Sequence, residues 1–194
     1  MSKSRKSEQY QAFWTAFAVE AEELHYLAFN GHFQFVYKRV KQLEGKHQTL
    51  FCTEITSKGQ DLVLIFTPEC NLKVAAEIDS FLTFAPVLQG WQLYGHRLPK
   101  PSEDAFAIVE QVYAVDARDA RFIIDYNSDW YDVIMLTVAA DKLADEDRAG
   151  FVRFSLSHLI GEDLTMKRVK NVELEMPRLG STTQSPDELI KSIH

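Results

Sequence analysis

The string closest to a metal-binding motif in this chain is Asp125-x-Asn127-x-Asp129, which matches the opening of a calcium-binding EF-hand loop. Such a loop needs glycine at its sixth position, for the sharp turn, and a bidentate glutamate at its twelfth. Those positions hold Trp130 and Leu136, so the string reads as a polar hairpin turn. It continues as Asp125-Tyr126-Asn127-Ser128-Asp129-Trp130-Tyr131-Asp132. Carboxylates interleaved with Trp and Tyr suit a patch that docks a basic partner, because aromatics anchor interfaces and opposite charge steers encounter. Asp125, Asp129, Trp130, Tyr131 and Asp132 are therefore candidate protein-binding residues. The competing reading is that Tyr126 and Trp130 turn into the core by strand alternation while the carboxylates solvate the turn.

A second candidate set is Trp91, His96 and Arg97, with Arg97 placed to grip a carboxylate or phosphate of a small ligand lying between the two halves of the chain. Six histidines show no HxH, HExxH or HxxxH spacing, which leaves no local zinc pair. His96 and His158 could reach Cys52 or Cys70 only through folding. GxSxG, SxxK and phosphate-loop strings are absent. Gly161-Glu162-Asp163 reads as a glycine helix stop and a solvated acidic turn; alternatively Glu162 reaches a buried arginine, Arg97 or Arg121. No catalytic residue, metal or cofactor is assigned.

The bulk numbers narrow the function classes. With 194 residues, 46% hydrophobic and 25% charged, the chain has the composition of a folded domain. Its net charge of −7 opposes phosphate backbones, so nucleic acid is not an expected partner. Lys3, Arg5 and Lys6 read as a solvated, frayed terminus. There is no apolar run near 18 residues, so no membrane partner is expected. Two cysteines without a CxxC spacing fit reduced thiols and a cytoplasmic location.

Around these residues the hydrophobic period alternates between helix and strand in an order that occurs twice. An aromatic helix (Tyr10, Phe13, Trp14, Phe17, Ala21, Leu24, Ala28) starts from an expected Ser7 cap and stops at Asn30-Gly31. A second helix presents Phe33, Val36, Val40 and Leu43 and ends at Gly45. Strands over 49–56 and 61–67, a helix over 71–85 and a strand over 91–97 follow. The same order returns as 120–126, 131–139, 145–160 and 169–176. A modest helix over 103–111 precedes the second set, and Ser185-Pro186-Asp187-Glu188 starts a short terminal helix. The fold class is thus α+β: an N-terminal helical pair, then two pseudo-repeated β-β-α-β units with mixed sheets covered by helices. The expected parts are 1–98 and 99–194, joined at Pro99-Lys100-Pro101-Ser102 as one compact body. Leu62–Phe66 and Val133–Val138 should be the most buried strands.

Three fragments carry a resemblance: Phe13-Trp14-x-x-Phe17, Ala85-Pro86-x-Leu88-x-Gly90-Trp91 with Arg97 beyond it, and Leu159-Ile160-Gly161-Glu162. Together they resemble a group of uncharacterised bacterial α+β proteins that open with FWxxF and carry an AP…W…R segment. That resemblance implies the fold and no activity. Small acidic proteins of this build also resemble bacterial immunity proteins, which block toxins by direct binding; that likeness rests on class and charge. The functional expectation is a non-enzymatic protein of immunity or adaptor type that occludes a basic partner. The alternative is a small-ligand binder or enzyme with its cleft between the halves. A third route is a structural homodimer that pairs an exposed sheet edge or the aromatic stripe of the first helix, association following if Trp14 or Phe17 is exposed; monomer and homodimer both stay open.

Overall fold

The computed structural model describes residues 3–178 and 180–193. The protein is α+β, with two three-stranded mixed sheets. The chain divides into two compact units, Met1–His96 and Arg97–His194.

The first unit opens with α1 (Lys3–Phe29) and α2 (Phe33–His47), followed by β1 (Cys52–Lys58), β2 (Asp61–Thr67), α3 (Leu72–Leu82) and β3 (Trp91–Tyr94). The three-and-four spacing of the α1 aromatics lays them along one face, and that face is spent on the core. Phe13 and Phe17 are fully buried and Trp14 is 1% exposed, so the condition set for pairing through this stripe is not met. The Phe13 and Trp14 rings converge on Phe81, at 5.1 and 4.9 Å, and Phe17 meets Trp91 at 5.0 Å. The Trp14 indole N–H donates to the Phe81 carbonyl at 2.9 Å, so this deep indole leaves no polar atom unmet. Asn71 caps α3 as its residue type predicts, its side chain accepting from the Lys73 amide.

The second unit runs α4 (Ser102–Tyr113), β4 (Arg121–Asn127), β5 (Trp130–Leu136), a 3-10 turn over Val138–Lys142, α5 (Asp145–Leu159), α6 (Glu162–Arg168), β6 (Val169–Glu175) and α7 (Pro186–Ile193). Its core gathers Phe106, Phe122, Met135, Phe151, Leu156, Leu159 and Leu189. Ser185 and Glu188 form a reciprocal capping box at the start of α7. The Gln184 backbone just before it bonds Phe122 in both directions at 2.8 Å, which covers part of the β4 edge.

The repeat is exact in its hairpin register. Adding 69 to each partner in β1–β2 yields its counterpart in β4–β5: Cys52↔Thr67 becomes Arg121↔Leu136, and Lys58↔Asp61 becomes Asn127↔Trp130. In both sheets the third strand then joins parallel to the second, starting at Leu62↔Trp91 and at Tyr131↔Val169.

Several sequence expectations need correction. The first helix is already helical at Lys3, so Ser7 lies inside it, and Lys6 is tied to Glu77 at 2.6 Å instead of fraying. Gly45 lies within α2, which stops at a left-handed Gln48. The strand expected over 91–97 ends at Tyr94. The buried strand expected over Val133–Val138 ends at Leu136 and is broken by the half-buried Ile134; the buried Thr137 caps the 3-10 turn and Val138 is 52% exposed. The expected acidic turn after Gly161 is instead α6, with Glu162 sealed inside.

Candidate functional site

Strand alternation decides what each side chain of the β4–β5 hairpin can do. Phe122, Val133 and Met135 point to the core of the second unit. The opposite face carries Ile123, Asp125 and Asn127 from β4, Trp130, Asp132 and Ile134 from β5, and Asn171 and Glu173 from β6. Ile123 and Ile134 are cross-strand partners, and so are Asp125 and Asp132. Ile123, Asp125, Asp132, Ile134, Asn171 and Glu173 line a shallow hollow of about 220 Å3 on this face. An apolar floor is thus bordered by carboxylates.

Of the five candidate residues in this stretch, the fold places Asp125, Trp130 and Asp132 on that one face. Tyr131 lies on the other, against the core, with its ring facing the Arg168 guanidinium at 5.4 Å. Asp129 sits in the turn. The expectation that Tyr126 and Trp130 are inward is overturned: they are 58% and 37% exposed. Tyr126 does share the core-side parity, but it lies at the hairpin tip, beyond the reach of the core. Trp130 is flanked by Lys170, whose ammonium lies 4.2 Å from the ring centroid.

Asp132 has a second task. Its Oδ1 accepts from the Asn171 amide at 3.2 Å and side chain at 2.8 Å, and Oδ2 accepts from Asn127 at 3.3 Å. These bonds clasp the irregularity where β6 shifts register against β5. The alternation of 123–127 and 130–134 could have revealed the face from sequence. Asn171 and Glu173 could not be added that way, because their pairing with β5 spans 39 residues.

The other candidate set is dispersed. The Trp91 indole is buried and donates to the Ala21 carbonyl at 3.0 Å. His96 follows β3 in a half-buried bend. Arg97 is buried in the second unit, where its backbone N–H donates to Glu162 Oε2 at 3.0 Å and its guanidinium lies 3.4 Å from Oε1. The Glu162 amide donates back to the Arg97 carbonyl at 3.0 Å. Gly161, at φ +88°, permits this approach, since a Cβ there would lie 3.2 Å from Pro99. Beside the pair, His158 is 1% exposed and its Nδ1 accepts from Lys100 Nζ at 3.2 Å. Burial first, then the positive charges of Lys100 and Arg97, push the imidazole down to about 3. This neutral histidine is a structural group and no proton shuttle near neutral pH.

The three sequence fragments noted above therefore mark packing joints. Phe13, Trp14 and Phe17 meet Trp91 in the first core, and Arg97 meets Gly161-Glu162 in the second unit. No protein-family model matches the chain, and neither a curated protein nor a solved structure matches it. Among the described residues no group of three or more His, Cys, Asp or Glu is arranged to hold a metal ion, and no helix is long and apolar enough to cross a membrane.

Proposed function

We propose that this is a non-enzymatic binding protein, of immunity or adaptor type, that occludes a basic protein partner with the open sheet face of its second unit. The observation that supports this reading is the cross-strand pair Asp125↔Asp132 beside Ile123↔Ile134. Like charges placed directly opposite each other weaken a hairpin; the Asn127 and Asn171 bonds account for Asp132, but nothing in the hairpin calls for a second carboxylate at Asp125. A Lys or Arg side chain laid between the two carboxylates would turn that repulsion into attraction. Ile123 and Ile134 supply the apolar centre and Trp130 the aromatic rim that interfaces favour. The mechanism is steric and electrostatic occlusion, with no bond made or broken.

The test is capture from the native host with four baits: the wild type, Asp125→Lys, Ile134→Lys and the control Val19→Lys. The wild type should retain one stoichiometric basic partner, and rising salt should weaken the complex. Both variants of the sheet face should lose that partner, while Val19→Lys on the first unit keeps it. Retention by all of the baits, or no stoichiometric partner on the wild type, would sink the reading.

A further inference from the structure

A different cavity carries an inference independent of that partner. In the first unit a groove of about 730 Å3 runs between α1 and the segment leading into β3, lined by Glu22, His25, Phe29, Asp61, Val87 and Gly90 among others. This volume lies in the range of small-ligand pockets. Glu22, His25 and Phe29 are spaced three and four apart, so α1 presents them as one row.

His25 is held in place from two sides. Its Nε2 lies 2.9 Å from the Gln60 carbonyl, and its ring is 4.8 Å from that of Phe29. Gly90 makes room for it: at φ +76°, a Cβ there would come within 2.7 Å of the Cδ2–Nε2 edge. A carbonyl only accepts, so Nε2 is the donor in this contact, and in the tautomer with its single proton there Nδ1, across the ring, is an acceptor.

The charged groups of the lining are the carboxylates of Glu22 and Asp61, and among the described residues no Lys or Arg joins them. Asp61 also accepts from the Gln92 side chain at 2.7 Å. Large apolar side chains stand beside these acceptors, with Phe29 45% exposed and Val87 101% exposed. Acceptors and carboxylates next to uncovered apolar surface match a ligand that is positive at one end and apolar at the other.

We infer that this groove binds an organic ammonium ion, its N–H groups donating to Glu22 and His25 Nδ1 and its hydrocarbon part lying on Phe29 and Val87. Phenethylamine is the probe, with phenylacetate as its anionic counterpart, titrated at neutral pH into the full chain and followed by NMR. The amine should give saturable shifts at the His25 ring and the Gly90 and Val87 amides, and phenylacetate should give none. Glu22→Gln, on the exposed side of α1, should weaken the amine about tenfold, the loss expected for one charge-assisted hydrogen bond. Gly90→Ala, by displacing the His25 ring, should weaken it at least as much. Asp125→Lys should leave amine binding intact, which separates this site from the face of the second unit. No shift at His25, equal binding of phenylacetate, or an unchanged affinity in Glu22→Gln would each overturn the assignment.

Discussion

The two sheets share connectivity and hairpin register, yet their central strands face different surroundings. In β2 every residue from Leu62 to Thr67 is buried, so Val63 and Ile65 are as inaccessible as the core-side Leu62, Leu64 and Phe66. In β5 the matching positions are Asp132 and Ile134, both half-exposed, on the face that carries the candidate site. The outer strands β1 and β4 do not differ this way; their burial follows the same order along all seven residues. One backbone plan thus supports an apolar strand covered on both faces and a strand with one open face. The difference lies in two or three side chains of the central strand, and it is where a partner surface can arise without disturbing the core.

The sharpest way to break this comparison is to place the same charge at equivalent positions. Ile65→Lys buries an ammonium with no partner and should cost about 3–5 kcal/mol. Ile134→Lys, one repeat later, should shift stability by only about 0.5 kcal/mol, as surface substitutions do. Denaturant unfolding, with hydrogen exchange to assign the change to a unit, measures both. Similar losses in the two variants would mean that the second face is not open.

Each unit also seals one carboxylate, and the two should differ in cost. Glu162→Leu leaves Arg97 buried without that carboxylate and should destabilise the second unit by about 3–5 kcal/mol. In the first unit Glu44 accepts from Thr53 at 2.6 Å and pairs with Lys41. Burial, the largest influence on it, pushes its carboxyl above the usual range. The Lys41 side chain is 32% exposed and can turn to water, so Glu44→Gln should cost less, about 1–3 kcal/mol. Chemical denaturation ranks the pair.

The second unit should also be the more acid-sensitive. The His158 imidazole has an ordinary value of 6.5 and is held down to about 3 in the fold. The unfolded chain therefore takes up this proton below about pH 6.5 while the folded chain resists until about pH 3. Stability is complete above that window and falls as pH drops through it, by at most about 1.4 kcal/mol per pH unit. His158→Leu should flatten the pH profile between 6 and 4 relative to wild type, whatever its effect at neutral pH. Parallel profiles would show that the imidazole titrates normally.

The smallest effect expected is at the candidate face itself. Asp125→Asn relieves a like-charge cross-strand pair and should raise stability by a few tenths of a kcal/mol, at most about 1. Thermal unfolding checks it; a clear loss would show that Asp125 serves the fold.

Much of this organisation was legible from local pattern. The aromatic row of α1, the Asn71 cap, the Ser185 start of α7 and the order of both β-β-α-β sets follow from period and cap chemistry, which act within a few residues. The hairpin at 121–136 was legible too, and with it the candidate residues Asp125, Trp130 and Asp132. Legibility failed where the deciding contact was distant. Glu162 reads first as solvated after a glycine; its alternative, a buried arginine, is the one that holds, and only the fold selects Arg97, 65 residues earlier, over Arg121. Tyr126 and Trp130 read as inward together, but the pairing register puts them on opposite faces: Trp130 lies on the open one, and Tyr126, on the core side, lies beyond the reach of the core.

The sequence alone therefore determined the elements, their order and the twofold repeat, because hydrophobic period and capping are properties of short segments. Tertiary structure decided which of two equivalent sheet faces stays open, which carboxylates are sealed, and that His25, Gln60 and Gly90 meet at one groove. Those outcomes depend on strand pairing and packing between residues tens of positions apart, and no local pattern encodes them.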